Sequence, residues 1–99
     1  MASTTPHEYR NLDMASVRRI LQEQGDYDVD MEFPVRAGAL RRKSFASTLQ
    51  SLSSFYGVKC HIFEDRGLFQ STLNIHLSGP ARKVLAAVEL TCDRVGVRF

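Results

Sequence analysis

Tryptophan is absent, cysteine occurs twice and proline three times in 99 residues. The two cysteines, Cys60 and Cys92, are too few for a disulfide scaffold, and no CxxC pair is present. A reduced, cytoplasmic protein is the default this sets. No run approaches the roughly 18 apolar residues that span a bilayer, so membrane insertion is not expected. The opening Met1-Ala2-Ser3-Thr4-Thr5-Pro6 lacks the apolar stretch of a secretory signal. Neither charge sign dominates: 13 Lys and Arg against 11 Asp and Glu give +2. That balance does not demand nucleic acid or an anionic membrane. No pattern recurs often enough for a solenoid.

The hydrophobic share, 43%, is enough for one packed core and argues against whole-chain disorder. The length fits a free-standing protein or a domain of a larger parent. Residues 1–10 read as a loose tail and 11–99 as one domain. Asn11 or Asp13 can cap a helix over about 12–24, with Met14, Val17, Ile20 and Leu21 on one stripe and Gly25 as its stop. Tyr27, Val29, Met31, Phe33 and Val35 then alternate with Asp28, Asp30 and Glu32, which predicts a strand. Pro34 predicts a bulge or the strand's end. After Gly38 a helix carries Leu40, Phe45, Leu49, Leu52 and Phe55 or Tyr56, and Gly57 closes it. Val58, Cys60 and Ile62 alternate with Lys59, His61 and Phe63 as a second strand. Glu64-Asp65-Arg66-Gly67 reads as a hairpin loop. Phe69, Ser71, Leu73, Ile75 and Leu77 alternate with Gln70, Thr72, Asn74 and His76 as a third strand. Ser78-Gly79-Pro80 should start a helix with Ala81, Val84, Leu85, Val88, Cys92 and Val95 inward. Gly96 ends it, and Val97-Arg98-Phe99 reads as a last strand.

The order is therefore α followed by β-α-β-β-α-β. Tyr56-Gly57-Val58 is echoed by Val95-Gly96-Val97, a helix end leading into a strand each time. Two β-α-β units joined by a hairpin make an α+β, ferredoxin-like sandwich: a four-stranded antiparallel sheet with two helices on one face, plus the N-terminal helix. Parity puts Asp28, Asp30, Glu32, Lys59, His61, Phe63, Gln70, Thr72, Asn74 and His76 on the opposite, open face. The N-terminal helix has its own apolar stripe to bury. It can cover part of that face, pack on an edge, or meet another subunit.

Arg36-Ala37-Gly38-Ala39-Leu40 after the first strand, the helix end Tyr56-Gly57-Val58, the late helix and Gly96-Val97 together resemble ACT domains over about residues 27–99. The resemblance implies a non-catalytic regulatory domain. It would pair through sheet edges or faces and bind a small effector at the loop between the first strand and its helix.

The residues themselves offer several candidate sites. Arg36, Gly38, Arg41, Arg42 and Lys43 form a basic glycine loop at a helix N-terminus, where free N–H groups suit a small anion. A solvated helix face explains the same charges. Glu23, Asp26, Asp28, Asp30 and Glu32 make an acidic run, but alternate strand positions lie about 6.5–7 Å apart, a poor metal cradle. His61 and His76 are too few for zinc, and a hairpin register pairing Ile62 with Phe69 would set His61 opposite Gln70. Arg66-Gly67-Leu68-Phe69-Gln70 with Phe63 looks like an RNA-stacking strand, except that Phe69 has inward parity. Gly38-Ala39-Leu40-Arg41 fits an acylphosphatase loop poorly. Arg41-Arg42-Lys43-Ser44 looks like a basic-directed kinase site. With no catalytic set, metal or cofactor expected, these observations describe a non-enzymatic domain that self-associates as a homodimer. Its interaction surface would be Asp28, Asp30, Glu32, His61, Phe63 and His76, and its anionic effector would sit at residues 36–43. Nucleic-acid binding through Arg41–Lys43 is the alternative.

Overall fold

A computed structural model describes residues 9–68 and 71–98. Most of the expected tail, together with Phe69, Gln70 and Phe99, lies outside the described residues. The elements run α1 (Met14–Glu23), β1 (Asp28–Val35), α2 (Ala39–Tyr56), β2 (Lys59–Arg66), β3 (Ser71–Pro80) and α3 (Ala81–Val95).

Local chemistry sets their ends. The Asp13 carboxylate accepts from the Ser16 N–H at 2.8 Å and caps α1. At the end of α2, Gly57 adopts φ 72° and Val58 N–H donates to Ser53 O at 2.8 Å. The end of α3 repeats this, with Gly96 at φ 77° and Val97 N–H donating to Cys92 O at 3.2 Å. Both are glycine C-caps in which the residue after the glycine closes back on the last turn.

The three strands form one antiparallel sheet in the order β1-β3-β2. Burial along β1 alternates, with Val29, Met31, Phe33 and Val35 inside, but Tyr27, expected in the same set, precedes the strand and is 50% exposed. The four buried residues meet Leu73, Ile75 and Leu77 of β3 and the inner faces of α2 and α3 in one core. Phe45 of α2 is fully buried and meets Phe33 edge-on at 6.4 Å. Met14, Val17 and Ile20 of α1 belong to the same core. All three helices therefore contribute to one core on one side of the sheet, and α1 leaves the open face uncovered. Arg18 of α1 reaches Glu89 of α3 at 3.5 Å.

The expected four-stranded ferredoxin-like sheet is not formed: three strands are present among the described residues. Two causes are visible. The outer edge of β1, where a fourth strand would pair, is taken by Leu12. Its N–H donates to Asp30 O at 3.0 Å and its carbonyl accepts from Glu32 N–H at 2.9 Å. Val97 is bound into the α3 cap and buried in the core, and neither it nor Arg98 extends a strand. The Gly-Val echo encodes a helix end in both places and a strand only after the first.

Three smaller expectations are also corrected. Ser78, Gly79 and Pro80 complete β3 instead of starting a helix, and Pro80 pairs with Asp28. α3 then begins with no loop, and the α1–β1 connection supplies its N-terminal partners. Ala81 N–H donates to Tyr27 O at 2.9 Å, and Arg82 N–H to the Asp26 carboxylate at 2.8 Å. The β2–β3 hairpin is longer than expected, with Arg66 opposite Ser71 and Ile62 opposite Ile75. Leu40 is 84% exposed and Phe55 81% exposed, so the inward stripe of α2 is Phe45, Leu49 and Leu52. Pro34 stays within β1, opposite Asn74, which its edge position permits.

Candidate interaction surface

β1 sends Asp28, Asp30 and Glu32 to the open face because its apolar set must face the helices. Register then decides which side chains are neighbours. Asp30 lies opposite Ser78 and Glu32 opposite His76. Across the other ladder Lys59 lies opposite Ser78, His61 opposite His76, and Phe63 opposite Asn74. The longer hairpin overturns the expected pairing of His61 with Gln70. It sets Glu32, His76 and His61 in one row across all three strands.

Glu32 touches His76, and Phe63 links His76 to His61. His76 Nε2 lies 3.2 Å from Glu32 Oε1, with both side chains nearly half exposed. The Phe63 ring stacks on His61 at 6.5 Å and meets His76 edge-on at 6.0 Å. Phe63 itself is 58% exposed. The result is an aromatic cluster at the β2 side of the face, bordered by carboxylates at the β1 side. Among the described residues no group of three or more His, Cys, Asp or Glu side chains is arranged to hold a metal ion.

The basic loop is distributed differently. Gly38 is the N-cap of α2 with extended backbone and no side-chain cap. Arg42 folds back: one guanidinium nitrogen donates to Ala37 O at 2.7 Å and another lies 3.8 Å from Glu64, leaving its side chain 16% exposed. Arg36 borders a shallow groove shared with Asp13, Glu32, Asp65 and Asn74, which is acidic for an anion site. Arg41 lines a different groove with Leu40, Ser44 and Arg94. Lys43 is exposed. The five residues do not converge on one cradle.

Both cysteines are free and half-buried. Burial pushes the Cys60 thiol above its ordinary pKa, and burial with the Asp93 and Glu89 charges does the same at Cys92. Neither has the electropositive setting of a reactive thiol.

Edge packing by the N-terminal helix was one of three options the sequence left open, and the residue just before that helix, Leu12, is what meets the β1 edge. Leu12 closes the outer edge of β1, whereas no backbone hydrogen bond among the described residues reaches the outer edge of β2. Strand parity assigns faces but carries no signal for edges. Comparison with family models, characterised proteins and solved structures gave no match for this chain. No described helix is long and apolar enough to cross a membrane.

Proposed function

We propose that this is a non-catalytic interaction domain that self-associates through its three-stranded sheet. One observation carries the reading. The sheet has one edge closed by Leu12, while the outer edge of β2, beside the exposed Phe63, meets no backbone hydrogen-bond partner among the described residues. An open strand edge is a template for another chain. The exposed aromatic suits a protein contact, since aromatics are enriched at interfaces. The residues that resemble ACT domains support the same non-catalytic class. The two free thiols support a reducing, cytoplasmic compartment. Because the basic-loop residues do not converge, the reading rests on the sheet and not on a bound anion. Nucleic-acid binding is less well supported, since Arg42 is held by Ala37 and Glu64 and the open face carries carboxylates. Sedimentation equilibrium over micromolar to millimolar protein tests it: a monomer–dimer equilibrium is expected, and a strict monomer throughout refutes it.

A further inference from the structure

The sequence of β2 defines how a second copy would fit. The strand reads Lys59-Cys60-His61-Ile62-Phe63-Glu64-Asp65-Arg66, and its inner edge is paired with β3 along its whole length. Its ends are charged and its centre, His61-Ile62-Phe63, carries no carboxylate, lysine or arginine. Lys59, His61, Phe63 and Asp65 lie on the open face; Cys60, Ile62, Glu64 and Arg66 lie on the helix face. A two-fold axis perpendicular to the sheet pairs β2 with its copy antiparallel and keeps the faces matched. Residues on one face must then meet residues on the same face, which restricts the central registers to two.

With Ile62 opposite its own copy, Lys59 meets Asp65 and His61 meets Phe63, each twice by symmetry. Every open-face position then has a complementary partner. With Phe63 on the axis, Ile62 would face the Glu64 carboxylate, which the first register sets against Cys60, and Lys59 would pass the strand end without an acid. Within one chain Lys59 lies opposite Ser78 and Asp65 opposite Thr72. Neither takes part in an ion pair among the described residues. At six positions apart along one strand, about 20 Å, they cannot meet each other intramolecularly.

We infer that two copies of this chain pair β2 to β2 in the Ile62-centred register, joining their sheets into one six-stranded sheet with both ends closed by Leu12. This rests on the self-association reading and adds its geometry. The test is charge reversal with complementation between chains. Lys59→Asp and Asp65→Lys should each weaken self-association about tenfold, since each reverses two pairs per dimer. A one-to-one mixture of the two variants should regain wild-type affinity, because each strand then offers the other the opposite charge at both ends. Both sites are exposed, so circular dichroism should show an unchanged fold. If wild-type protein dimerises but the variants dimerise equally well, or the mixture fails to recover, the register is overturned while self-association stands. If wild-type protein never dimerises, the self-association reading falls and the register with it.

Discussion

Replacing Asp26 by alanine would strip α3 of the side chain that caps it from outside. α3 follows β3 directly, and its N-cap position is Pro80, which offers no side-chain acceptor. Two of the N–H groups that a helix leaves unpaired in its first turn are met by the α1–β1 connection: Ala81 by Tyr27 O and Arg82 by Asp26 Oδ1 at 2.8 Å. Loss of such a cap costs about 1 kcal/mol, within a range of roughly 0.5–2. In a domain this size about 1 kcal/mol lowers Tm by about 4–8 °C. Asp26→Asn keeps an acceptor but gives up the carboxylate's attraction to the helix dipole, worth about 0.3–1 kcal/mol. Urea unfolding of both variants measures this, with an unchanged m-value expected because the same surface is exposed. The expected order of stability is wild type, then Asn, then Ala. An alanine variant as stable as wild type would refute the argument that Asp26 caps α3 across the fold.

Phe45→Ala, at a fully buried position edge-on to Phe33, should cost about 3–5 kcal/mol and lower the urea midpoint accordingly. The contact with Ser16 holds the Asp13 carboxyl below its ordinary pKa. Its stabilisation is therefore present above the unfolded pKa and lost as pH falls through the lower folded value. Asp13→Ala should cost about 1 kcal/mol at neutral pH, with the gap to wild type closing in strong acid; urea titrations at both pH values check this. With both thiols raised, Cys60 and Cys92 should react more slowly with a disulfide reagent at about pH 8 than a small free thiol does, and faster reaction would contradict their burial.

The faces of this fold were legible in the sequence because they follow from period. The alternation from Val29 to Val35 has one solution once one side must be buried. The same parity brings Asp28, Asp30, Glu32, His61, Phe63 and His76 to one face. Neighbour relations needed register, which parity does not carry. Glu64-Asp65-Arg66-Gly67 read as the hairpin loop, whereas β2 runs on to Arg66 and pairs it with Ser71, and that shift of the turn along the chain brings His61 to His76. Gly96-Val97 looked like a strand entry because the identical pair before β2 is one, yet its physical content is a left-handed helix cap. Arg41, Arg42 and Lys43 are adjacent in sequence, and a helix turns consecutive side chains about 100° apart. A run of charge on α2 therefore points in several directions. The Leu12 contact with β1 and the Asp26 cap on α3 join residues with no local signal to link them.

The asymmetry of the two sheet edges is tested most directly by amide hydrogen exchange in dilute and concentrated protein. The Leu12 and Glu32 amides, bonded across the β1 edge, should be protected at both concentrations. Alternate amides of β2, those not bonded to β3, should exchange freely when dilute and become protected when concentrated. Unprotected Leu12 and Glu32 amides, or alternate β2 amides that exchange equally fast at both concentrations, would contradict an account built on one closed edge and one pairing edge.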